Sequence, residues 1–210
     1  MQVIKLTFRV SLMRASSSKA FYDLASEHGG YFTTRDALRA GLSYRQLSYH
    51  VLSGELERVS HGVYRLVNYP AHQHGDMIAA TLWAGPDSAI SHESALAVYG
   101  LASAMPAIIR LTAPATFTGN RTGVRIHHAN LRPDERRLWD DVPVTTVERS
   151  LIDMAQGGDI SLLREAVSDS LARGLTTRLR LARAVARSAN PMEIRRALGI
   201  RLPPVKEAAA

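Results

Sequence analysis

The sequence predicts an α+β protein in which an N-terminal winged helix-turn-helix precedes a C-terminal mixed α/β domain. Three observations predict it. Two short helical segments meet at a glycine-containing turn around Gly41. Two strand-like runs follow on either side of Ser60-His61-Gly62, as a hairpin does. Beyond residue 75, two helical stretches precede β-like runs over 107–128, and helical periods then continue almost to the C-terminus. A chain of 210 residues holds one large or two small domains. The expected division is a strand and linker over 1–19, a helix-turn-helix domain over 20–70, an α/β domain over 71–202 and a tail over 203–210. The Pro70 region, with His72-Gln73-His74-Gly75 after it, sets the boundary.

Composition narrows the function classes. At 46% hydrophobic residues the chain is able to bury a core. It has no cysteine, which excludes disulfides, thiolate metal sites and cysteine nucleophiles. No apolar run approaches the roughly 18–20 residues of a membrane helix, so no membrane partner is expected. Near the N-terminus, Ile4, Leu6, Phe8, Val10 and Leu12 alternate with polar residues, unlike a secretory signal, and the expected location is the cytoplasm. Met1 and Met13 are both plausible starts. The net charge of +7 is uneven: residues 1–70 carry +4, residues 71–150 carry −1, and residues 151–210 carry +4. Basic ends suit polyanions, because neutralised phosphates release condensed counterions.

Taken in order, Phe21, Leu24 and Ala25 share one helical face, and Gly29-Gly30 ends that helix. Thr33 or Thr34 caps a short helix over Arg35–Ala40, Gly41 turns the chain, and Ser43 caps a third helix over Tyr44–Ser53. That helix is expected to bury Leu47 and Val51, with His50 at the edge of the stripe. Its other face offers Tyr44, Arg45, Gln46, Ser48 and Tyr49, side chains able to bond base edges or phosphates. Residues 55–59 and 63–66 form the hairpin, and Arg58, His61 and Arg65 are its candidate DNA contacts. A single such module reads few base pairs, so the expected operator is an inverted repeat bound by two copies.

Further on, helices are expected on both sides of Ala84-Gly85-Pro86-Asp87, then strands over Ile108–Thr112 and Val124–His128. A loop with Pro133 and Pro143 comes next, followed by helices over Thr146–Ala155, Ser161–Ala172, Thr177–Ser188 and Pro191–Leu198. Ser91-His92-Glu93-Ser94 groups the residue types of a hydrolytic triad, but neighbours one or two apart on a helix do not face each other. Ser91 is expected as an N-cap, and no catalytic residue is assigned. His127 and His128 point to opposite faces of a strand, and His72 and His74 lack a third ligand nearby, so no metal or other cofactor is expected. Arg149 and Asp153 stand at i, i+4 and are expected to pair on the surface. Arg180, Arg183 and Arg187 form a basic stripe on one helix face.

Several blocks carry a resemblance. Gly30-Tyr31-Phe32-Thr33-Thr34, Ala40-Gly41-Leu42-Ser43, Gly54-Glu55-Leu56 and Arg58–Tyr64 resemble the N-terminal domain of AbiEi-type antitoxins of type IV toxin–antitoxin systems. Ser91–Leu96 and Val144–Ala155 resemble blocks of actinobacterial members. The likeness implies a protein that represses its own operon through the winged helix. It also implies that the C-terminal domain counters a nucleotidyltransferase toxin, directly or indirectly. Arg149, Arg180, Arg183 and Arg187 are the candidate toxin contacts. The competing expectation is a stand-alone regulator whose C-terminal domain senses a ligand.

Overall fold

The computed structural model describes residues 19–204. The expected strand over Ile4–Leu12 and the tail beyond residue 204 lie outside the described residues. The chain divides into two compact units, Met1–Trp83 and Ala84–Ala210, later in the sequence than residue 70.

In the first unit, helix α1 runs over 19–26 and is followed by strand β1 (Tyr31–Thr33), which periodicity alone did not reveal. Gly30 sits between them at φ +100°, and a Cβ there would lie 2.9 Å from Tyr69 Cδ1, so glycine alone fits. Thr33 then caps helix α2 (Thr34–Arg39): its hydroxyl accepts from Asp36 N at 3.2 Å, and Asp36 Oδ2 accepts from Thr33 N at 3.0 Å. Gly41 at φ +83° and buried Leu42 complete the turn into α3 (Tyr44–Leu52). Strands β2 (Leu56–Ser60) and β3 (Val63–Leu66) form the hairpin, and β1 pairs with β3 to give a sheet ordered β1-β3-β2. Helix α4 (Gly75–Ala84) follows.

The core of this unit joins α1, the helix pair and the sheet through Phe21, Phe32, Ala37, Leu47, Leu56 and Tyr64. Full burial of each large apolar side chain contributes about 1.5–3 kcal/mol before conformational entropy is counted. His50, not Val51, is the fully buried partner of Leu47 on α3. Its ring lies edge-on to Phe21 at 4.7 Å, and its Nδ1 stands 2.6 Å from Glu55 Oε2, so the polar end has a partner inside the core.

The second unit is built on a mixed sheet ordered β6-β5-β4-β8-β7. Its strands are β4 (Ala89–Ile90), β5 (Ile109–Ala113), β6 (Val124–His128), β7 (Arg136–Trp139) and β8 (Val142–Thr145). Helix α5 (His92–Val98) packs on β5 and β8, and α6 (Val147–Ala155) packs on α5. Helices α7 (Ile160–Ala172), α8 (Arg178–Ala186) and α9 (Pro191–Leu198) complete the layer around α6. Tyr99 ties the layers together, its buried hydroxyl donating to Thr145 O at 2.8 Å.

The expected loop around Pro133 and Pro143 is instead a 3-10 turn (Pro133–Glu135) and the β7–β8 hairpin. Asp140 and Asp141 take φ +49° and +58°, a two-residue connection with both central residues left-handed, which matches the right-handed strand twist. Pro143 is tolerated because β8 meets β4 through the single pair Ile90↔Val144, so no long ladder requires its missing N–H.

Candidate functional site

The geometry of α3 follows from its cap. Ser43 and Gln46 form a reciprocal box: Ser43 N donates to Gln46 Oε1 at 2.8 Å, and Gln46 N donates to Ser43 Oγ at 3.3 Å. Gln46 is thereby engaged in starting the helix. Leu47 and His50 anchor the inner side, which leaves Tyr44, Arg45, Ser48 and Tyr49 exposed together on the outer side. Tyr44 is 66% and Tyr49 44% exposed, high values for aromatic side chains.

Two cations that periodicity did not single out join this face. Arg35 and Arg39 on α2 line one open groove with Thr34, Leu38 and Tyr44. Their position on the first helix of the pair, one turn apart, was the available signal. In the hairpin, Arg58 Nη2 donates to His61 Nδ1 at 3.3 Å, which places both at the exposed tip. Arg65 lies in the middle strand opposite Tyr31, half-buried, with Glu57 3.7 Å away. The hairpin residues thus separate into a tip pair and one inner cation.

The second unit brings all four of its candidate arginines to one place. Arg149, Arg180 and Arg187, with Arg183 between the last two, line a cavity of about 250 Å³. The 3-10 turn supplies Arg132, Asp134 and Glu135 to the same cavity, and the start of α6 supplies Thr146 and Glu148. Ion pairs run along its wall. Arg187 meets Asp134 at 2.9 Å, and Arg132 bridges Asp134 and Glu135 at 3.2 and 2.9 Å. Arg149 joins Glu135 at 3.1 Å to Asp153 at 2.7 Å. Arg180 pairs with buried Glu148 at 2.9 Å, which also accepts from Thr176 Oγ1 at 2.6 Å. Arg183 has no hydrogen bond or ion pair among the described residues.

The Arg149–Asp153 pair is an inner one and not the expected surface pair. Asp153 is only 4% exposed, and burial is the main reason its pKa rises to about 6, against the lowering influence of Arg149. Arg132 and Arg187 hold the Asp134 carboxyl below the usual range by hydrogen bonding.

Ser91–Ser94 form no triad. Ser91 occupies the N-cap position of α5, but its fully buried hydroxyl makes no capping bond; it accepts from Thr112 Oγ1 at 2.8 Å and lies 3.0 Å from His92 Nδ1. Glu93 is turned away to Arg110, 2.5 Å from its Nε. His92 stacks on His127 at 3.8 Å, and burial followed by the His127 ring lowers the His92 pKa to about 3. That stacking joins α5 to β6 and has no local sequence signature. No group of three or more metal-ligating side chains occurs among the described residues.

With this geometry in place, comparison with known proteins gives a family match and a likeness in fold. Residues 22–67, which hold the helix-turn-helix and its hairpin, match the model of the AbiEi antitoxin family of transcriptional regulators. The fold is similar to that in the crystal structure of the RV2827C protein from Mycobacterium tuberculosis. The TM-score is 0.53 at 15% identity, over 87% of this chain and 76% of that one. No curated protein matches the chain. No helix of the described residues is long and apolar enough to cross a membrane.

Proposed function

We propose that this chain is a cytoplasmic antitoxin that represses its own operon through its first unit and neutralises a nucleotidyltransferase toxin through its second. The observation that carries the reading is the coincidence of the AbiEi match over 22–67 with the exposed polar face of α3 and the basic hairpin tip. In this reading α3 enters the major groove, with Arg45 reading a guanine edge and Tyr44, Ser48 and Tyr49 completing the contact. Arg35 and Arg39 on α2, with Arg58 and His61 on the hairpin, neutralise phosphates and fix the register. Gln46 and Arg65 shape this surface from within. Two copies on an inverted repeat supply the specificity one module lacks. The protein performs no catalysis. Arg149, Arg180, Arg183 and Arg187 are the contact set for the toxin.

Fluorescence anisotropy with the promoter DNA of its own operon tests the DNA half. Arg45→Ala is expected to lose about 1–3 kcal/mol of affinity and to relax preference at one base pair. Arg35→Ala is expected to weaken binding alike on all sequences and to reduce the salt slope by about one per bound site. Unchanged affinity in both variants would remove this face from the interface.

A further inference from the structure

The second unit concentrates positive charge beyond what its own carboxylates balance. The cavity between the 3-10 turn, α6 and α8 is lined by five arginines and three carboxylates, and Asp153 behind the wall pairs with Arg149, which leaves an excess of one positive charge. Internal ion pairs use only part of the donor capacity. A guanidinium carries five N–H groups in a planar fork. Arg180 meets Glu148 through Nε alone, which leaves both its Nη groups without a partner among the described residues. Arg187 uses Nη1, and Arg183 uses none. The start of α6 faces the same space through Thr146, Glu148 and Arg149, and its macrodipole adds to the positive potential there.

The walls say what kind of anion fits. Ile152 and Ala184 are the apolar side chains that line the cavity, and no aromatic ring does, so a nucleobase gains no stacking surface. A carboxylate would bring one charge and two oxygens. A phosphomonoester brings nearly two charges near neutral pH and three acceptor oxygens, and the three oxygens match the unused forks of Arg180, Arg183 and Arg187. We propose that this cavity is a binding site for the dianionic phosphate of a phosphomonoester, held by arginine forks without reading any base. The inference rests on the reading that these arginines form the contact surface of the second unit. Its test uses the chain alone, so it fails separately from toxin neutralisation.

The experiment is a phosphorus NMR titration of the full-length protein near neutral pH. The probes are inorganic phosphate and adenosine and uridine 5′-monophosphates, with hexaglutamate as competitor. Saturable binding is expected, equal for the two nucleotides. Arg183→Ala and Arg180→Ala are each expected to weaken it about tenfold, the scale of one charge-assisted hydrogen bond. Arg183 is exposed and unpaired, so its replacement leaves the fold intact, and Arg183→Lys should keep part of the affinity because the charge remains. Arg196→Ala, on the exposed side of α9, should change nothing. Tighter binding of both nucleotides than of inorganic phosphate supports the site with a nucleotide as its source. Equal binding of all three supports it with free phosphate as the source. Absence of saturable binding, an equal loss in Arg196→Ala, a strong preference between the two bases, or tighter binding of hexaglutamate would each overturn the proposal, the last in favour of an acidic protein segment.

Discussion

His92 opens α5 at φ +53°, in the left-handed region, with its ring buried against His127. Its pKa of about 3 lies far below the ordinary 6.5, so the unfolded chain takes up a proton across that interval and the folded chain does not. Stability from this group is therefore complete above about pH 6.5 and is lost progressively as pH falls towards 3. Asp153 works in the opposite sense: its pKa of about 6, against 3.8, makes stability fall as pH rises between those values. Asparagine tolerates a positive φ, so His92→Asn should keep the turn and make the acid limb shallower, whereas Asp153→Asn should make it steeper. Urea midpoints between about pH 4 and 8 check this, and parallel profiles for wild type and His92→Asn would contradict it. Residues differ in the same way in how far the sequence betrays their roles. Ser43-Tyr44-Arg45-Gln46 has the spacing of a capping box, a local pattern that marks Gln46 as a helix-starting residue. The Arg149–Glu135 pair and the His92–His127 stack join residues distant in the chain, and no local pattern encodes them.

Among the elements, those with a full helical period and a polar cap were legible. Helices α3, α6, α7, α8 and α9 lie within a residue or two of their expected ends. In the first four, Ser43, Thr146, Asp159 and Thr177 accept from the first-turn amides as caps do. The short strands were not legible. Strand β4 has two residues and β1 three, too few for alternation to register. The β7–β8 hairpin was hidden by Pro143 and by a turn built from Asp140-Asp141 where asparagine and glycine are the usual signal. Its outer edge is guarded by Arg136 and Arg137, the latter lying 4.7 Å over the Trp139 ring. Asp141 is held in a left-handed backbone conformation that glycine adopts freely. Asp141→Gly should therefore stabilise the protein by about 0.5–1 kcal/mol, read from urea unfolding. A loss of stability would show that the Asp141 side chain matters more than its backbone.

At the scale of the whole molecule, the two units differ in what they carry: the first has the AbiEi match and the exposed α3 face, and the second has the arginine-lined cavity. The polar pattern of α3 and the basic stripe of α8 were both readable as surfaces, because their periods are local. That Arg149 and the 3-10 turn meet the α8 stripe in one cavity required the chain to fold. The central claim is that the second unit confers protection and the first confers repression. Growth rescue tests it most directly: the product of the adjacent gene is expressed alone, with the full chain, and with the full chain carrying Arg45→Ala. The account predicts arrest by that product alone and rescue by both forms of the chain, since it places Arg45 on DNA alone. Absence of arrest, or arrest that neither form relieves, would contradict it and leave a stand-alone regulator.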